Sequence, residues 1–263
     1  MKRYEKIIAT LLLIVTSNSL AFGSGLKNVE IIEGWKNSDA SIVLGLKISL
    51  NDGWTTYWHT PGPIGLKPKF DFSNSVNINK VEVLWPGPKV FGTSGFEYIG
   101  YEDEVVLPLT LEAKISTEPI NLKITGNIGV CYDVCVPIEF KLQSGLKTIT
   151  REINPDLLAA LTSLPLSPSD FGKQKASCSL TFGENSFKIT ANIPYLVKPE
   201  SQIYFSIKDY RHELSIEQPS LVNPGKPISA IGEWHDEAHL KVRSNLITIT
   251  QIYGDEVIEQ KGC

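Results

Sequence analysis

Hydrophobic positions along this chain recur mostly at every second residue. In SIVLGLKISL (41–50) apolar and polar residues alternate, the period of a half-buried strand. Asn51-Asp52-Gly53 then supplies a turn. KVEVLWP (80–86) reads as a further strand stopped by Pro86-Gly87-Pro88, and VVLPLTLEA (105–113) as another. LKITGNIGV (122–130) and VPIEFKL (136–142) read as the two arms of an antiparallel hairpin. The pattern changes at NPDLLAALTSLP (154–165), where helical spacing appears with Pro155 placed as a first-turn residue. Leu164 to Gln174 is rich in Pro and Ser and reads as linker. From Ala176 the β pattern returns in SLTFGENSFKITANIP, QIYFSIKD, HELSIEQPS and LKVRSNLITITQIYG. Short strands punctuated by turns predict an all-β chain. We expect an immunoglobulin-like β-sandwich over 24–148, a linker with a helix over 149–175, and a second small β-sandwich over 176–263.

Residues 1–23 break this pattern. Lys2, Arg3 and Lys6 precede an apolar run from Ile7 to Val15, and small residues follow at Ser19, Ala21 and Gly23. This is the layout of a cleaved secretory signal peptide, with an apolar core too short to span a bilayer. Later stretches stay well below the apolar length of a membrane span, so we expect none in the mature protein. Removing 1–23 takes away three basic groups and one acid, which moves the net charge from −4 to −6. An exported chain with this acidic balance and no basic run is a poor nucleic-acid binder.

Export gives the four cysteines an oxidising compartment. Cys131 and Cys135 flank Tyr132, Asp133 and Val134, which would form the tip of the hairpin. Directly opposed residues there have Cα atoms roughly 4.5–5.5 Å apart, within disulfide range. Closing so short a loop yields only about 2 kcal/mol of entropic stabilisation, which suits a pair that opens and closes. Spacing alone leaves three readings: a redox pair, a structural bridge, or half of a metal site. Cys178 and Cys263 would close a loop of about 86 residues, worth about 4–5 kcal/mol, the profile of a staple; a free terminal cysteine is the alternative.

Other candidates are weaker. His59, in YWHTPG, reads as a packing residue before a loop rather than a ligand or base. His212, His235 and His239 lie in the second unit; HDEAH has the spacing of a helical zinc motif, but Asp236 stands where that motif needs Glu. The loop from Phe91 to Glu104 combines glycines with Phe96, Tyr98 and Tyr101. It reads either as a mobile loop with core-anchoring aromatics or as a flap over the cysteines.

Four stretches taken together carry a resemblance: DGWTTYWHTPGPIGLKPKFDF (52–72), VEVLWPGPKVF (81–91), GYEDEVVLPLTL (100–111) and GVCYDVCVPIEFKL (129–142). In this order they resemble the N-terminal periplasmic domain of the DsbD/ScsB family of thiol:disulfide interchange proteins. The resemblance implies an immunoglobulin-like sandwich whose cysteine pair, Cys131 and Cys135, exchanges with thioredoxin-like periplasmic partners and a membrane-embedded electron donor. It also implies a cap loop formed by Gly95, Phe96, Tyr98 and Tyr101, with Phe96 as the shielding side chain and Tyr57, Tyr132 and Asp133 beside the pair. The C-x3-C spacing is shorter than in DsbD proper and closer to the ScsB-like branch. We expect no counterpart of the family's transmembrane and thioredoxin domains in this chain, and so a separate protein as electron source.

The resemblance thus implies a protein-disulfide reductase or interchange activity without a cofactor. A partner thiolate would attack one sulfur of the pair and form a mixed disulfide. The sequence places no Lys, Arg or His beside the pair, and Asp133 would raise a thiol pKa. The alternative is a non-catalytic module that holds a partner or Cu(I) through the two thiolates.

Overall fold

The computed structural model describes residues 25–62, 65–93, 96–146, 153–195, 198, 200–207, 214–217, 223, 225–234 and 243–263. The expected signal peptide and His212, His235, His239 and Gly95 lie outside them. The first unit runs β1 (Leu26–Lys36), β2 (Ile42–Leu50), β3 (Thr55–Tyr57), β4 (Lys69–Asp71), β5 (Ile78–Val83), β6 (Lys89–Phe91), β7 (Tyr98–Glu102), β8 (Glu104–Ala113), β9 (Ile120–Cys131) and β10 (Cys135–Leu146). One sheet has the order β1-β2-β8-β5, the other β10-β9-β3-β7-β6 with β4 also on β9. Leu44, Leu46 and Ile48 of β2 and Leu107, Leu109 and Leu111 of β8 face Leu122, Ile124, Ile128 and Val130 of β9 across one core. The fold is a β-sandwich, as the period-two pattern implies.

The outer face of β2 departs from the half-buried expectation, since Ile42 to Leu46 are buried on both sides. The cause is α1 (Pro155–Thr162), which lies on the sheet with Leu157 and Ala160 against Val43 and Val106. Asn154 caps it, its side-chain oxygen accepting from the N–H groups of Asp156 and Leu157 at 3.0 and 3.2 Å. Lys47 ties the helix down, 3.0 Å from Asp156 and 2.9 Å from Glu104.

The second unit runs β11 (Ser177–Phe182), β12 (Ser186–Asn192), β13 (Gln202–Ile207), β14 (Leu214–Glu217), β15 (Ile228–Trp234), β16 (Ile247–Tyr253) and β17 (Glu256–Lys261). Its sheets, β11-β12-β15-β14 and β13-β16-β17, enclose a core of Phe187, Ile189, Phe205, Ile247 and Ile249. Cys178 and Cys263 are bridged, with Cα atoms 5.3 Å apart. Gln260 clasps the same end: its amide donates to the Ala176 carbonyl at 3.0 Å and accepts from the Ala176 N–H at 2.7 Å.

The Pro/Ser-rich stretch is docked rather than free. Leu166 N–H donates to the Val257 carbonyl at 3.0 Å, and Glu259 N–H donates to the Leu166 carbonyl at 2.8 Å. The two units also share apolar packing, since Tyr204, Ile252 and Val257 belong to the core cluster of the first sandwich. At this seam His59 Nε2 faces Glu259 Oε2 at 3.3 Å, and Lys261 stands 3.4 Å from the other carboxylate oxygen. His59 is therefore an interface residue, wedged against Trp58 and Trp85.

Burial pushes the Glu259 carboxyl up, but pairing with His59 and then Lys261 outweighs it and holds the group below its ordinary value of 4.5. A depressed folded-state pKa gives stability that is present above the unfolded value and lost as pH falls through the folded one. Urea denaturation of wild type and Glu259→Gln should therefore show a stability gap at neutral pH that closes between about pH 5 and pH 3. A gap that stays constant over that range contradicts the assignment.

Candidate functional site

The site grows from the register of one hairpin. β9 and β10 pair without a shift from Ile120↔Leu146 to Cys131↔Cys135, so the two cysteines stand directly opposite each other. Tyr132, Asp133 and Val134 form the connecting turn, closed by the Tyr132 N–H on the Val134 carbonyl at 3.4 Å. The sulfurs are bridged and the Cα atoms lie 4.1 Å apart. Even-numbered residues of β9, such as Ile128 and Val130, point into the core. Cys131 falls on the opposite face by strand alternation, and so does its partner.

The two sulfurs sit in different surroundings. Cys131 is only 2 % exposed, whereas Cys135 is open to solvent. β3 explains the difference, because Thr55 pairs with Cys131 and the chain then carries Tyr57 over the same outer face. The Tyr57 hydroxyl lies 2.9 Å from Cys135 Sγ and 3.1 Å from Cys131 Sγ. Bridged sulfurs carry no proton, so the hydroxyl is the donor. Burial raises the Tyr57 pKa, helped by Tyr98, which keeps the group protonated.

Two glycines make room for that ring. A Cβ on Gly129 would stand 2.7 Å from Tyr57 Cε2, and one on Gly65 would stand 2.9 Å from Tyr57 Cδ1. The ring is gripped along both edges, and Leu66 closes over Gly129. Around it, Thr55 donates to the Cys131 carbonyl at 3.3 Å and shares a 3.0 Å bond with the Tyr98 hydroxyl. Tyr98 packs edge-on against Tyr57 and stacks on Phe91.

The aromatics of the expected cap loop occupy three different places. Tyr98 stands beside the pair, opposite Phe91 in the last β6–β7 pair before the connecting loop. Phe96 lies at the tip of that hairpin and is 69 % exposed. Tyr101 belongs to the core instead: it is buried and its hydroxyl donates inward to the Pro86 carbonyl at 2.8 Å. Strand alternation in YIGYE turns Tyr101 away from the loop's outer side, and burial raises its pKa well above 10. Tyr132 packs on Trp54 with ring centroids 5.7 Å apart, and Asp133 is exposed at the turn. Tyr132, Val134 and Val136 leave an apolar rim beside Cys135, with Val134 71 % exposed.

Among the described residues, the hydrogen bonds to the sulfurs come from Tyr57, and no group of three or more His, Cys, Asp or Glu side chains is placed to hold a metal. Thr55, Gly65, Leu66 and Gly129 belong to the site and escape a reading based on reactive side chains. Their signal is glycine placement, Gly65 and Gly129 standing where a bulky neighbour must approach.

Residues 29–146, which span the first sandwich, match the family described as thiol:disulfide interchange protein DsbD, N-terminal. No curated protein and no solved structure matches the chain.

Gly129→Ala must displace Tyr57, which is buried and cannot swing free. Overpacking of this kind costs about 1–3 kcal/mol, whereas Gly145→Ala on the same hairpin meets nothing within 4 Å and should change stability by less than about 0.5 kcal/mol. Urea denaturation of both variants checks the contrast, and equal effects would count against the glycine slot.

Proposed function

We propose that this protein, whose residues 29–146 match the DsbD N-terminal family, relays electrons by thiol–disulfide exchange through Cys131 and Cys135. The supporting observation is the asymmetry of the pair, one sulfur buried and one exposed, with a hydroxyl set between them. Exchange requires a thiolate to approach a sulfur in line with the bond it breaks. Cys135 Sγ offers that approach at the hairpin tip, beside the apolar rim that a partner can cover.

The partner thiolate attacks Cys135 Sγ and forms a mixed disulfide. The Cys131–Cys135 bond breaks, and its electron pair goes to Cys131 Sγ. A thiolate in that buried position is costly without a counter-charge. Tyr57 offsets this by donating its O–H to the new anion, a charge-assisted bond stronger than the one to a neutral sulfur. A second thiolate of the partner then attacks its own bridged sulfur and expels Cys135 as thiolate. Two electrons have passed to the pair, the partner is left as a disulfide, and protons from solvent complete both thiols. Run backwards, the same steps reduce a partner.

Partners of this kind carry two cysteines in a thioredoxin-like site, and a membrane-embedded protein supplies or removes electrons. Among the described residues no helix is long and apolar enough to cross a membrane. The place of action is the periplasm, reached through the signal peptide at residues 1–23.

Single-cysteine variants test the direction of attack. Reduced Cys131→Ser retains the exposed thiol and should form a mixed disulfide with a thionitrobenzoate-activated thioredoxin about a hundredfold faster than reduced Cys135→Ser. Equal rates, or a faster Cys135→Ser, would overturn the assignment of Cys135 as the attacked sulfur.

A further inference from the structure

The redox pair and the second sandwich are joined by three residues of main chain. At one end Tyr57 places its hydroxyl against both sulfurs. At the other, His59 faces Glu259 of β17 at 3.3 Å. Trp58 between them is fully buried, and its backbone N–H donates to the Ile99 carbonyl at 2.9 Å. Ile99 N–H in turn donates to the Pro61 carbonyl at 2.9 Å, so β7 laces the segment on either side of His59. A piece of chain held this way moves as a unit.

Glu259 is itself anchored. Its N–H is bonded to Leu166, its neighbour Gln260 is clasped to Ala176, and the strand leads to the bridged Cys263. The carboxylate side chain is 9 % exposed, so its position is set by packing as well as charge. Glu259 also lies outside the stretch that matches the DsbD N-terminal family.

We propose that Glu259 is a positioning residue for the exchange reaction: through His59 it fixes the Tyr57–His59 segment and so holds the Tyr57 hydroxyl between Cys131 and Cys135. The second sandwich is then a brace for the redox site rather than an independent appendage. This inference rests on the exchange reading above. A hydroxyl bonds a thiolate more strongly than a disulfide sulfur, so a well-placed Tyr57 favours the reduced pair. Loosening the brace should make the pair harder to reduce. Linkage is reciprocal, so reduction should in turn be felt at His59.

The test compares wild type with Glu259→Gln, which keeps the shape and removes the charge. Both are equilibrated with glutathione, and cooperative urea unfolding establishes that each is folded. In parallel, the His59 ring resonance, assigned with His59→Gln, is recorded in oxidised and reduced wild type. The expected result is an equilibrium constant for reduction about tenfold lower in Glu259→Gln, equivalent to about 30 mV, together with a shifted His59 resonance on reduction. A folded Glu259→Gln whose constant lies within about twofold of wild type overturns the proposal. Should Glu259→Gln not fold, the wild-type resonance decides: displacement on reduction supports the brace, and identical resonances overturn it. A wild-type pair that glutathione cannot open would instead remove the exchange reading, an outcome distinct from an unchanged constant.

Discussion

The constraint on which the site depends is the register of the β9–β10 hairpin. Side chains alternate between faces at every residue, so a slip of one position would carry both cysteines to the wrong side of the sheet. The register is pinned by Leu122, Ile124, Ile128 and Val130 in the core of the sandwich. Those buried residues therefore decide where the sulfurs emerge, although none of them touches a sulfur. Once the register is set, Cys131 is placed under β3 and Cys135 is left open beyond its edge. A single disulfide acquires two chemically different ends through the difference in burial of its sulfurs.

Tyr57 then takes the place that a cation occupies at many reactive cysteines. A buried neutral hydroxyl can donate to either sulfur and to the thiolate between steps, while its raised pKa keeps the proton in place. Its position is set by steric means: Gly65 and Gly129 leave space for the ring, and Leu66, Tyr98 and Thr55 close around it. Farther out, β17 supports the same segment through His59, so the second unit and the redox site share one mechanical frame. The docked Leu166 and the common packing of Tyr204, Ile252 and Val257 make that frame continuous.

Much of this was legible in the sequence wherever the determining interaction is local. The cysteine spacing within two β-patterned arms implied a three-residue tip with opposed sulfurs, and Asn154-Pro155 marked the start of the helix. Long-range placement was not legible. Tyr101 resembles its neighbours in a glycine- and aromatic-rich loop by composition, yet strand alternation sends it inward to Pro86. The Pro/Ser content around Leu166 suggests free linker, but an exposed edge of β17 recruits its backbone. Outer-face burial of β2 depends on a helix more than 100 residues later, as the Lys47 to Asp156 contact illustrates. His59 and Glu259 come together only because two units dock, which no local period encodes.

The central claim is that the Cys131–Cys135 bridge is an exchanging pair rather than a structural one, and its reduction potential tests that most directly. Equilibration of the full chain against glutathione buffers, with the Cys178–Cys263 bridge mapped separately, gives the value. The account predicts a potential between about −180 and −270 mV, the span of thiol–disulfide exchange proteins. A potential below about −300 mV is that of a structural disulfide and would contradict the account.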